Sequence, residues 1–176
     1  AEVHKDHIGE LQDMLEDDDS MLPYRWRKPS ALTLTSTTSE ANMVLRNGID
    51  RQWDGADNGV WVAPGEESIV YNWKKPVTIS GARIIFDSEF KYRSKRMRKL
   101  EATTERVEVP RMMTKDFRIE AKTGKGEWTT VYEGKGNYLR LRKIQFEKPV
   151  KANALRLVVD STWGAEKAHV FAFDAL

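Results

Sequence analysis

The chain closes on "NALRLVVDSTWGAEKAHVFAFDAL", Asn153 to Leu176, and this stretch decides the fold. Its first apolar run alternates: Leu155, Leu157 and Val159 point one way, Arg156 and Val158 the other. After "DSTWGAEKAH" a second run alternates, placing His169, Phe171 and Phe173 on one side. A period of two belongs to strands, where successive side chains leave opposite faces. The ending is therefore read as strand, Trp-Gly loop, strand.

The same rhythm extends upstream. "ALTLTST" (31–37) alternates, with Leu32 and Leu34 on one face. "SIVYNW" (68–73) and "VTISGARIIFD" (77–87) are β-branched and aromatic, with Lys74, Lys75 and Pro76 as a break between them. "DFRIEAKTG" and "EWTTVYEG" flank a hairpin turn at Lys122 to Trp128. "NYLRLRKIQF" alternates Leu139 and Leu141 with Arg140 and Arg142. About eight strands and one convincing helix predict an all-β, antiparallel jelly-roll sandwich with an N-terminal helical segment.

That segment, residues 1–22, stands apart. Ile8, Leu11 and Leu15 make one apolar helical stripe, and Glu16 to Asp19 pile acid on a helix end that prefers cations. It reads either as a helix packed on the domain behind it or as the tail of a preceding domain or linker, with the module itself at 30–176. Ala1 in place of an initiating Met suggests a processed or excised piece.

Bulk composition excludes several chemistries. The 176 residues, 40% hydrophobic, suffice for one cored domain. With no Cys there is no disulfide, thiolate nucleophile or Cys-held metal, and only His4, His7 and His169 could supply imidazole. A net charge of +2, without aromatics interleaved on a basic strand face, does not suit nucleic acid. No apolar run of membrane-spanning length is present.

Two segments break the rhythm. Leu45 to Pro64 is rich in Gly, Asp and Asn. Trp53, Asp54, Asp57 and Asn58 there offer an aromatic face beside short polar groups, the combination that stacks a sugar's C–H face and bonds its hydroxyls. Equally, such Trp residues close a sandwich and such Asp and Asn cap turns; for Trp61, between Val60 and Val62, burial is the favoured reading. The second segment, Glu89 to Thr114, holds "KYRSKRMRK" (91–99), six basic residues in nine. Tyr92 and Arg93 within it are candidates for ligand contact, against a solvated charged loop. Trp163 either presents a face to ligand or seals the connection of the last two strands. No catalytic residue is assigned: Asp54, Asp57, Glu66 and Glu67 share one loop, whereas glycoside hydrolysis needs two carboxyl groups opposed across a bond.

The order "ID" loop with Trp, "KKPVTISGARIIFD", "DFRIEAKTGKGEWTTVYEG", "ALRLVVDSTWG" and a closing strand resembles the discoidin-like domain, also called the coagulation-factor type C or galactose-binding-like domain. "HIGELQDMLEDDDSMLP", "VPRMMTKDFRIE" and "NYLRLRKIQF" further resemble the C-terminal region of bacterial FAD-dependent oxidoreductases that carry such a tail. The resemblance implies a non-catalytic accessory module that binds carbohydrate or docks on its parent catalytic domain. The alternative is a purely structural domain without small-molecule ligand. No Gly-x-Gly-x-x-Gly run follows a strand, so no FAD site and no cofactor are expected within this chain. The resemblance also implies a calcium ion between an Asp of the "ID" loop, here Asp50, and a Glu on the closing strand. Arg51 stands where Gly is usual and Ala172 aligns with that Glu, which weighs against the metal. The compartment stays open, with a leaning to the periplasm or cell exterior.

Overall fold

The computed structural model describes residues 37–50, 56–88 and 109–176. The expected helix at 1–22, most of "ALTLTST", and the candidates Trp53, Asp54, Tyr92 and Arg93 lie outside the described residues.

The described residues form a 3-10 helix, Ala41–Arg46, and six strands: β1 Val60–Val62, β2 Ser68–Phe86, β3 Thr114–Lys122, β4 Thr129–Gly134, β5 Leu141–Thr162 and β6 Ala168–Ala175. All pairings are antiparallel, in the order β1-β6-β2-β5-β3-β4. The fold is the expected all-β sandwich. Fewer strands appear than the pattern suggests because two breaks are bridged. Lys74-Lys75-Pro76 does not end a strand, and neither does Glu147-Lys148-Pro149; β2 and β5 run through both.

These two long strands build both layers. The first half of β2 pairs with the second half of β5 (Ser68 with Val158, Asn72 with Ala154), and β5 there also pairs with β3. The second half of β2 pairs with the first half of β5 (Ile85 with Leu141) and with β6 on its other edge. Register shifts fall between Asn72 and Val77 and between Ile79 and Gly81. Each shift adds residues on one arm, which bends and twists the ladder. The sheet thus folds over on itself and closes on one core. Tyr71 of the β2–β5–β3–β4 layer stacks on Phe173 of the opposite layer, centroids 5.0 Å apart, and its hydroxyl donates to the Phe173 carbonyl. Phe86 meets Phe117 across the layers with its ring tilted, centroids 5.1 Å apart. Leu155, Leu157 and Val159 all enter this core, as their alternation predicts.

The closing strand departs from its predicted phase. Phe173 is in the main core, but His169 and Phe171 are not its face-mates: Phe171 and Ala172 join Ile85 in a second cluster, and His169 packs against Phe171. A register shift where β6 runs past Ile85 and Phe86 puts two consecutive residues, Phe171 and Ala172, on one face. Residues before and after the shift therefore alternate out of step. This turns Arg83, Ile85, His169, Ala172 and Asp174 to the side of the sheet away from the main core, where all are nonetheless buried.

Gly81 marks the corner. A Cβ there would lie 2.2 Å from the Ile144 carbonyl oxygen, a backbone atom that cannot swing aside. Gly81→Ala is expected to destabilise the chain by about 1–3 kcal/mol, the usual cost of forced overpacking. A fall in Tm of roughly 2–10 °C by circular dichroism follows for a domain of this size; an unchanged Tm would show that the corner yields.

Candidate functional site

One end of the sandwich gathers its loops. Here β2 ends, β6 begins, the β4–β5 loop arrives and β5 hands over to β6. Backbone hydrogen bonds clasp these pieces: Phe86 N–H to the Arg140 carbonyl, Asp87 N–H to the His169 carbonyl, Trp163 N–H to the Met113 carbonyl, and Ala165 N–H to the Arg111 carbonyl. The loops form a fixed rim on a rigid scaffold, the usual arrangement for recognition.

Asn137 holds the rim from inside. It is buried; its amide N–H donates to the Thr114 and Leu139 carbonyls, and its Oδ1 accepts from Leu139 N–H and Arg142. The Trp163 indole N–H donates to the Asn137 carbonyl at 2.6 Å. That bond satisfies the polar edge of the indole and leaves its ring 38% exposed, with the Lys115 ammonium 5.0 Å from its centroid. The next residue, Tyr138, is 67% exposed, and Leu139 is 47% exposed. Leu139, expected on a strand, precedes β5, which starts at Leu141. Beneath this loop Asp116 accepts from Gly136 N–H and Ser161 Oγ–H. Those two bonds, with Lys135 and Lys115 nearby, hold its carboxyl below the ordinary range.

Beside this patch lies a second arrangement. Trp61 is on β1, not in a loop, and pairs with His169. It is half-exposed rather than buried as read from its Val neighbours: its ring lies flat on the His169 ring, centroids 4.2 Å apart and planes 4° apart. Its indole N–H donates to Asp57 Oδ2 at 2.7 Å. Asp57 also accepts from Gly59 N–H, closing a tight turn over His169, and a Cβ on Gly59 would fall 2.3 Å from His169 Nε2. His169 is fully buried between two carboxylates. Nδ1 hydrogen-bonds Asp87 Oδ2 at 2.8 Å; Nε2 has Asp57 Oδ1 at 2.8 Å, an ion-pair distance rather than an aligned hydrogen bond. Burial would raise the Asp57 carboxyl, but the Trp61 indole, His169 and the Gly59 N–H outweigh it and hold it below the ordinary range.

The structure places Asp57 and Asn58 in the turn before β1 and Trp163 between β5 and β6. Asp57 spends its carboxylate on Trp61, Gly59 and His169, and Asn58 turns its amide toward the Ala56 carbonyl. Sequence reading missed Tyr138 and Leu139. The Gly-Lys-Gly-Asn run before them is a turn signal that could have moved both from strand to loop. Asp50, the residue matched to a calcium ligand, is buried with Arg83 Nη2 at 3.0 Å, while Arg83 Nη1 reaches Asp174 Oδ2 at 3.3 Å. Arg140 donates to the Asp50 carbonyl. Among the described residues no group of three or more His, Asp or Glu is arranged to hold a metal ion.

No protein-family model matches the chain, and no curated protein matches its sequence. Solved structures do. The family 32 carbohydrate-binding module of Streptococcus pneumoniae EndoD superposes with a TM-score of 0.56 at 22% identity, covering 84% of this chain and 96% of that one. Chitosan-binding module 1 from the chitosanase/glucanase of Paenibacillus sp. IK-5 gives 0.52 at 16% identity, covering 85% and 99%. Module 2 of the same enzyme, in complex with chitotriose, gives 0.50 at 12% identity, covering 83% and 97%. At these identities the likeness is one of fold: the chain has the galactose-binding-like, discoidin-like sandwich.

The depressed Asp57 carboxyl has a consequence for acid stability. A carboxylate held below its unfolded value stabilises the fold above that value, and loses the contribution as pH falls through the lower, folded one. Asp57→Asn is expected to lower Tm at pH 7 and to converge with the wild type below about pH 4, near the ordinary Asp value. Melting curves of both proteins over that range check it; a gap independent of pH would mean that the charge is not what anchors the turn.

Proposed function

We propose that this chain is a non-catalytic carbohydrate-binding module and that its rim is the binding face. One observation carries the reading. Of the five large apolar side chains exposed among the described residues, three stand on the rim loops, Tyr138, Leu139 and Trp163, and a fourth, Trp61, on β1 opposite the start of β6. Folded domains seldom leave such groups together in water without a partner. Aromatic rings standing among Lys115, Asp116 and Lys135 suit a ligand with apolar C–H faces and many hydroxyls. A sugar chain has that chemistry. Carbohydrate binding by structures of like fold supports the reading.

The module would serve a larger protein. Its sequence resemblance to the tail of FAD-dependent oxidoreductases supports a flavin enzyme as the parent, with the sandwich concentrating that enzyme on a glycan or docking on its catalytic domain. The rival reading is a structural domain that packs on the parent and binds no glycan.

A glycan array probed with the 176-residue chain, including chitooligosaccharides and acidic and neutral polysaccharides, separates the two. Retention of at least one glycan class is expected. Trp163→Ala should weaken binding tenfold or more, which is about 1.4 kcal/mol, the scale of one aromatic contact. Tyr138→Ala should weaken it severalfold without moving Tm, because that ring is the most exposed. Absence of binding to every glycan would favour the structural role, and unchanged binding by both variants would move the site elsewhere.

A further inference from the structure

We infer that Arg83 is the resident cation of this sandwich, pairing with the Asp50 that the family resemblance would give to a metal ion, and that the module is indifferent to calcium. The inference rests on a buried cluster distinct from the rim. Three elements meet at it: the loop after the 3-10 helix, which brings Asp50; the last part of β2, which brings Arg83; and the end of β6, which brings Asp174. The three side chains are 8%, 5% and 1% exposed for Arg83, Asp50 and Asp174.

Two carboxylates do not share a dry site without a cation between them. Here the cation comes from the chain itself. The guanidinium turns one nitrogen to each acid and ties a loop to the closing strand, and the Arg140 side chain grips the Asp50 carbonyl beside it. A calcium ion would need six to eight oxygens at 2.3–2.6 Å around one point. Arg83 fills the space between the two acids and already neutralises part of their charge, so an added divalent ion meets repulsion as well as lost room. The closing-strand position expected to supply a carboxylate is Ala172, which is packed with Ile85 and Phe171 in an apolar cluster. Sequence reading could not find the pairing, because Asp50, Arg83 and Asp174 lie 33 and 91 residues apart in contact.

The guanidinium differs from a metal in one functional respect. It cannot dissociate, so the loop stays fastened at any calcium concentration or in chelator, and no calcium signal reaches the rim.

Thermal melting of the whole chain in excess EDTA and in excess calcium chloride tests the inference without any sugar. The wild type should melt at the same temperature in both, within about 1 °C, and calorimetric titration with calcium should give no binding heat. A calcium-dependent rise in Tm of several degrees would overturn it. Arg83→Met removes the charge and keeps the stem. Its Tm should fall well below the wild type's, in calcium as in EDTA, because the guanidinium that bridges the two acids is gone. A variant as stable as the wild type and blind to calcium would also overturn the inference. Should Arg83→Met fail to fold, Arg83→Lys takes its place. One ammonium keeps the charge but cannot fork to both acids, so it should fold with a lowered Tm that calcium does not raise; a calcium response equal to a metal site's would count against the inference. Failure of the glycan array leaves these outcomes untouched, and the reverse holds as well.

Discussion

The molecule depends on the antiparallel ladder between β2 and β5, the pair of strands that belongs to both layers. Each crosses from one layer to the other without surrendering its partner, and the crossing is bent by extra residues that enter one arm at a time. Every other strand is an addition to an edge that this pair leaves open: β3 and β4 on one layer, β6 and β1 on the other. The core follows from the fold-over, since Tyr71 and Phe173, or Phe86 and Phe117, meet only once the ladder has turned back on itself. Close approach at Gly81 and Ile144 is the local condition for that turn.

The two layers treat their outer faces differently. On the β3–β5 side Arg118, Glu120, Arg156 and Asp160 form a chain of ion pairs, one along β3 and two across to β5, that remains partly in water. Such pairs fix register and solubility more than stability. On the β2–β6 side the Asp50–Arg83–Asp174 ion pairs are buried, and His169 is buried between Asp87 and the partly exposed Asp57. Buried charges contribute little net stability, and losing one partner is costly because the other is left desolvated. Both clusters join residues remote in sequence, so each pins a segment that the backbone ladder does not hold. The first fastens the loop after the 3-10 helix, the second the turn before β1.

Alternation carried the core in advance wherever one face met water. Leu155, Leu157 and Val159 could be placed because Arg156 between them is amphipathic and partly exposed. It misled at β6, where every residue from Ala168 to Ala175 is buried. With both faces covered, even the polar residues of "AHVFAFDA", His169 and Asp174, are buried, so polarity does not show where an extra residue shifts the phase. The break read at Pro76 misled for a related reason. Proline forbids a ladder hydrogen bond at its own nitrogen but does not end a strand that is bending there. Of the rim, Trp163 was visible as a loop aromatic beside glycine. Tyr138 was hidden in an apparent strand, and the partners of His169 were hidden by distance, since Asp57 and Asp87 join it only through the topology.

Rigidity and recognition are then linked through the same few residues. The rim aromatics are held at their polar edges, Trp163 by the Asn137 carbonyl and Trp61 by Asp57, while their faces remain partly open. A ring fixed in this way loses little further entropy when a ligand covers it, so more of the contact energy appears as affinity. The buried acids and bases beneath set where those edges sit: Asp57 is anchored by His169, His169 by Asp87, and Asp87 by its backbone bond to β6. The Asp57–His169–Asp87 cluster thus works as a frame for Trp61, as Asn137 does for Trp163.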